Sequence, residues 1–418
     1  MGDNEIRHRH LVVMYVIIFT IATLGIKFKI NPKTAMPILN AVGITMLFST
    51  LLLIPNFDIF LNESNQNIQV QESIIFENSI RPDIYYIILD EYSGEKSLDN
   101  YFNYNNEKFI SFLKINDFHV MKNSFTNYVV TAFAAPSIME MEYVHNSKKY
   151  SDITDINSIV SNSYQENRVF KFFNQNDYKT IYIYGGIMEE IKISNQNLCS
   201  NNAIVDFHTQ LTQTTMFWLI QKYQFINNLN EIRFCAFNEL EMVGERNDEP
   251  IFVFAHIKLP HDPFTMDSNG ETITPQNIDF GIGSDGNKIG YLNQLEFTNK
   301  KITELIPKII SNSKSPPIII IQSDHGVRFD INKISSNEEI LNQYDKEILQ
   351  RSFDGFSAYY FPDNSYEELY EDMTPVNTFR IIFNKFFNTE LELLPDRMYF
   401  QFDETRQFSD VTELIKTP

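Results

Sequence analysis

Two long apolar blocks open the chain, and beyond them short strand-like runs alternate with amphipathic stretches. Residues 11–26 (LVVMYVIIFTIATLGI) and 36–54 (MPILNAVGITMLFSTLLLI) carry no charged side chain. The second has the length a bilayer core requires, and the first reaches it if it extends to residue 30. Two transmembrane helices are therefore expected, at about 11–30 and 36–54. A cleaved signal peptide accounts for one such block but not for two. A buried helical hairpin is the bland alternative. Lys27, Lys29 and Lys33 lie in the short connection, and basic short loops stay cytoplasmic. The expectation is a multi-pass protein of the inner (cytoplasmic) membrane whose body, after residue 56, is extracytoplasmic. Arg7 and Arg9 oppose this orientation weakly.

Residues 57–82 are rich in Asn, Gln, Glu and Ser and read as a polar linker. Short aromatic and β-branched runs follow at 83–89 (DIYYIIL), 180–184 (TIYIY), 251–255 (IFVFA), 317–321 (PIIII) and 356–361, each strand-like. Helical spacing marks segments near 105–115, 131–142, 166–175, 209–240, 290–311 and 375–387. The alternation predicts an α/β fold, a mainly parallel sheet with helices on both faces. One large domain is expected at 83–395, with 396–418 as an extension packed on it. Within that extension, residues 399–402 and 408–411 are candidates for added edge strands.

Charge excludes one class of partner. Of 34 Lys/Arg and 54 Asp/Glu, residues 1–56 hold five basic and two acidic side chains, so the remainder has 29 and 52, a net −23. Such a body repels nucleic-acid phosphates, whose binding needs clustered Lys and Arg. Cys199 and Cys235 are either two unrelated thiols or, in an oxidising compartment, one bridge.

The candidate chemistry lies at predicted strand ends, where ligands sit in open α/β sheets. The run 317–321 leads into Asp324-His325-Gly326, and an adjacent carboxylate and imidazole suit a divalent ion. The first strand ends in Asp90-Glu91, a pair that also suits a solvated turn or helix cap. Together these give most of a metal shell. In 127–137 (NYVVTAFAAPS), Thr131 stands at the start of a helix, where free backbone N–H groups favour an anionic oxygen. A plain N-cap is the alternative, and Ser124, Thr126 and Ser137 are rival hydroxyl nucleophiles. In 256–264 (HIKLPHDPF), His256 and His261 can both reach a pocket at a strand end. There they bind a second ion, hold a phosphoryl oxygen or protonate a leaving group.

The order of these four segments resembles the alkaline phosphatase/sulfatase superfamily, especially its membrane-anchored phosphoethanolamine transferases and lipoteichoic acid synthases. The matching positions are Glu91, then Thr131 with its Ala-aromatic-x-x-Pro context, then His256 and His261 with Pro263, then Asp324, His325 and Gly326, over about residues 82–361. The resemblance implies Glu91, Asp324 and His325 as ligands of one catalytic divalent ion, with Thr131 as nucleophile and fourth ligand. Asp90 is then a second layer behind the ion. His261, with His256, is implied as a substrate or second-metal residue, while Arg328 is a candidate to bind a phosphate oxygen, with a plain surface arginine as the alternative. The C/S-x-P-x-R motif of formylglycine sulfatases is missing, which argues against a sulfatase proper. Some phosphoethanolamine transferases place a further His after Asp-His-Gly; here Val327, Arg328 and Phe329 follow.

The expected function is a metal-dependent transferase that moves a phospholipid-derived head group onto an envelope glycan or lipid, with zinc or manganese as the ion and calcium tolerated. The alternatives are a phosphoester or sulfate-ester hydrolase on the same scaffold, and a non-catalytic envelope binding protein.

Overall fold

In a computed structural model the described residues are 81–147, 149, 166–186, 191, 193–199, 218–273, 287–335, 341–402 and 408–417. They belong to one compact unit, Ser73–Pro418. The two apolar blocks lie outside the described residues. Among those described, no helix is long and apolar enough to cross a membrane.

Strands β1 (Ile84–Leu89), β2 (His119–Val120), β3 (Lys179–Gly185), β4 (Gln196–Leu198), β5 (Ile251–Ile257), β6 (Ile318–Gln322) and β7 (Ser357–Tyr360) form one sheet. Their spatial order is β2-β7-β6-β1-β5-β3-β4. Strands β6, β1, β5, β3 and β4 run parallel, while β7 and β2 add an antiparallel edge. The α/β architecture with a mostly parallel, helix-covered sheet is thus what the alternation predicted.

The central strands read as unbroken apolar runs because both their faces are buried. Along β1, Tyr85, Ile87 and Leu89 point into one core and Ile84, Tyr86 and Ile88 into the other, the period of two that a pleated strand imposes. The first core is roofed by α2 (Glu107–Ile115), α5 (Trp218–Met242) and α6 (Lys288–Asn312). The second is roofed by α3 (Thr131–Glu140), α4 (Arg168–Gln175) and α8 (Thr378–Phe387).

Several elements escaped the sequence pattern. Helices α1 (Glu95–Asn100) and α9 (Thr412–Lys416) are short. Helix α7 (Gln343–Phe353) carries few apolar residues but has a capping box, with Asn342 and Asp345 bonding each other's backbone N–H. The strand-like residues near the C-terminus do not extend the main sheet. They form β8 (Tyr399–Phe400) and β9 (Ser409–Asp410), which pair only with each other. Met398, Phe400, Val411 and Ile415 pack with Leu349 and Phe353 of α7. That contact buries them without extending the large sheet. Cys199 and Cys235 form a disulfide joining the end of β4 to α5.

Candidate active site

Three adjacent parallel strands fix where the polar side chains meet. Ile88 of β1 lies opposite Gln322 of β6 and Leu89 opposite Ile257 of β5, so all three carboxyl ends open at one rim. Asp90 leaves β1 there, Asp324 and His325 leave β6, and His256 is the penultimate residue of β5. All four are buried.

The turns are shaped for this meeting. Glu91 adopts a left-handed backbone (φ 62°), unusual for a residue with a side chain. The conformation aims its N–H at Asp324 Oδ1 (3.2 Å), while its carbonyl accepts from the Tyr291 hydroxyl (2.9 Å). Gly326 follows His325 because a Cβ there would lie 2.2 Å from the Arg351 carbonyl oxygen. Thr131 is the first residue of α3, as expected. Its hydroxyl donates to Asp324 Oδ2 at 2.6 Å and lies 3.3 Å from His325 Nε2. The rival hydroxyls are engaged or sealed elsewhere. Ser124 bonds Ser357, Thr126 bonds the Tyr128 carbonyl, and Ser137 is fully buried.

His256 Nε2 is 3.7 Å from Asp90 Oδ2 and 3.9 Å from Asp324 Oδ2. His325 Nε2 is 3.5 Å from Asp90 Oδ1. Two trios, Asp90 with His261 and His325, and Asp90 with His256 and Asp324, each bring one ligand atom per residue within 4.8 Å of one another. Asp90, a second-layer candidate by sequence, is common to both. Glu91 is in neither: its Oε1 accepts from the Arg328 backbone N–H (2.8 Å), and its Oε2 lies 3.7 Å from His261 Nε2.

The electrostatics suit a cation. Burial pushes Asp90 up to about 7, and the neighbouring Asp324 carboxylate adds to the rise. Burial also pushes His256 down to about 4, and it lowers His325. Asp324 is held below the usual carboxylate range: burial alone would raise it, but His325 and His256 outweigh that. Asp90 Oδ1 and both ring nitrogens of His256 are buried without a hydrogen-bond partner. Buried polar atoms are normally satisfied, so lone pairs converging without donors fit a divalent ion.

His261 is pulled two ways. Burial disfavours its charged form, yet Asp90 and Glu91 together raise its pKa. Against this, Arg328 Nη2 lies 3.0 Å from its Nε2 and can only donate. That contact fixes Nε2 as the acceptor, leaving the proton on Nδ1, which faces Asp262 at 2.7 Å. The arrangement can therefore collect a cation, an aligned hydroxyl and a guanidinium at one rim.

Residues 82–385 match the family model described as Sulfatase. The chain belongs to the sulfatase family. This places it among sulfatase-like enzymes. Solved structures resembling this sulfatase-family protein include the C-terminal periplasmic domain of EcEptC from Escherichia coli in complex with Zn. It is 12% identical, with 80% of this chain and 94% of that one covered and a TM-score of 0.49. The periplasmic domain of the phosphoethanolamine transferase EptC from Campylobacter jejuni is 12% identical, covering 75% and 92%, with a TM-score of 0.43. No curated protein matches the sequence.

Sequence reasoning passed over two further cations near this sulfatase-family site. Lys258 lies between the two histidines, and its charge acts on Asp90 and Asp262; a Lys within that loop of an acidic chain was the available signal. Arg233 gives no sequence signal, since it sits inside helix α5, remote from every motif.

Proposed function

We propose that this protein is a metal-dependent, membrane-anchored phosphoryl-group transferase acting on envelope lipids, with Thr131 as its nucleophile. The observation that carries this reading is the 2.6 Å hydrogen bond from the Thr131 hydroxyl to Asp324 Oδ2, beside the Asp90, His256 and His325 cluster. That bond aligns the hydroxyl and gives its proton a place to go. Asp90, Asp324, His325 and His256 would hold a zinc or manganese ion, with Glu91 adjoining them. When bound, the cation neutralises charge developing on phosphoryl oxygens.

Thr131 Oγ1 attacks the phosphorus of a phospholipid head group and passes its proton to Asp324. The bond from phosphorus to the diacylglycerol oxygen breaks, that oxygen takes up the proton from Asp324 through solvent, and His261 Nε2 keeps the Arg328 guanidinium in place. An acceptor hydroxyl on an envelope glycan or lipid then takes the substituted phosphate and returns the proton to Thr131. Arg328 is placed to hold a non-bridging oxygen through its guanidinium. The head group is phosphoethanolamine or phosphoglycerol, as the motif pattern implies. The Cys199–Cys235 disulfide supports an extracytoplasmic body, and the two apolar blocks support a bilayer anchor beside the lipid donor.

The test is incubation of the full chain with head-group-labelled phosphatidylethanolamine or phosphatidylglycerol plus envelope glycan. Diacylglycerol with labelled acceptor supports transfer. Free labelled phospho-head-group without labelled acceptor indicates hydrolysis. No turnover together with no bound metal leaves the binding-protein alternative.

A further inference from the structure

His261 sits on a loop, residues 259–265, whose back is gripped by two long helices. Arg233 and Asn230 come from α5 and Gln294 from α6, and Arg233 is fully buried. Arg233 Nη1 donates to Thr265 Oγ1 (2.7 Å), Gln294 Oε1 (3.2 Å) and Asn230 Oδ1 (3.5 Å), and its Nη2 donates to the His261 carbonyl (3.3 Å). Gln294 Nε2 donates to the carbonyls of Pro260 (3.1 Å) and His261 (3.0 Å), and its Oε1 accepts from Thr265 N–H (2.9 Å). The Thr265 hydroxyl donates to Asn230 Oδ1 (2.6 Å). The His261 carbonyl thus receives two side-chain donors from two helices.

No carboxylate is among these hydrogen-bond partners. A buried guanidinium held only by neutral groups is costly, and an apolar core would serve stability at least as well. The negative charges that act on Arg233 are Asp262 and Asp90, both at the rim. Among the described residues, the carboxylates that act on its charge are thus at the site.

We infer that Arg233, with Gln294, is a positioning residue of the active site: it fixes the His261 backbone so that the ring faces Asp90, Glu91 and Arg328. This rests on the assignment of His261 to the working site made above. A loop without regular structure has no ladder of its own to set a ring's direction, so the direction must come from outside it. A misplacement of about 1 Å at a reacting group costs about 100-fold in rate.

The test compares Arg233→Met and Arg233→Lys in the full chain. For Arg233→Met the expected results are faster amide exchange confined to residues 258–266 and, through the Asp90, His261 and His325 trio, Mn2+ affinity lower by about tenfold. With labelled phosphatidylethanolamine, kcat should fall about 100-fold while KM stays within about twofold. Arg233→Lys should recover part of the kcat. Should Arg233→Met not fold, Gln294→Leu removes the second donor to the same carbonyl and is expected to shift the same readouts. Unchanged exchange in the loop, or a loosened loop with wild-type Mn2+ affinity and turnover, overturns the inference. A wild-type protein that never turns over the lipid sinks the transferase reading instead, and the exchange and Mn2+ measurements then still decide for Arg233.

Discussion

Two buried polar clusters lie within a few residues of each other at the end of β6, and they are built on opposite principles. Around Gln322 the side-chain amide is matched on both ends. Its Oε1 accepts from Tyr86 (2.9 Å) and Thr378 (3.3 Å), and its Nε2 donates to Ser357 (3.0 Å) and Tyr359 (3.1 Å). Two residues on, the Asp324 cluster leaves Asp90 Oδ1 and both His256 nitrogens without partners, and sets two carboxylates against each other. A satisfied network fixes strand to helix. An unsatisfied one, equally buried, is costly to the fold and makes sense only where something else is bound.

The sharpest break of this comparison is Thr131→Ala. It removes the one hydroxyl that, among the described residues, bonds into the unsatisfied cluster, and turnover should drop by at least about 10^3-fold with the melting temperature little changed. A mutant with full rate would move the nucleophile elsewhere. Next is Asp90→Asn, which touches both trios. Zinc or manganese affinity, followed by elemental analysis after dialysis, should fall about 10- to 100-fold. The metal-free variant should melt no lower than metal-free wild type, because the substitution relieves carboxylate repulsion. Unchanged metal content would remove Asp90 from the site.

Gln322→Leu should do the converse. It strands the Tyr86 hydroxyl, takes one partner each from Ser357, Tyr359 and Thr378, and is expected to cost about 1–3 kcal/mol in a denaturant titration, while metal affinity stays within about twofold. A large loss of metal would mean the two clusters are not separate. The smallest effect belongs to Asp83, at the opposite end of β1. Burial raises it from 3.8 to about 6, with the Ile251 N–H and the Lys314 charge acting in the other direction. The folded state therefore binds this proton more tightly than the unfolded chain does. The stability this contributes is complete below pH 3.8 and is lost as pH rises through about 6. Asp83→Asn should flatten that part of the stability profile; an unaltered slope between pH 4 and 6.5 would assign it to other groups.

The central strands were legible because burial on both faces leaves a chemical trace, an unbroken apolar run such as IYYIIL or IIII. The helix beginning at Thr131 and the Asp324-His325-Gly326 turn were legible for a similar reason: each needs particular residue types at fixed offsets. Helix α7 was not, because its start is set by the Asn342–Asp345 capping box and its apolar side is narrow. The C-terminal runs at 399–402 and 408–411 read as strands but not as partners, since pairing depends on what lies across from them. Arg233 was illegible from any local pattern.

The chain's own order of residues determined an α/β sheet, its sulfatase-like motif series and the polar residues at three strand ends, all of which follow from contacts between near neighbours. Tertiary structure alone decided which of those residues share a space. It put Asp90 in both ligand trios and turned Glu91 toward His261 and the Arg328 backbone. It also left His256 without a hydrogen-bond partner and brought Arg233 behind the His261 loop. Each of these depends on the register of parallel strands joined through distant crossovers and on the packing of helices far apart in sequence. Such distances have no periodicity for a sequence to display.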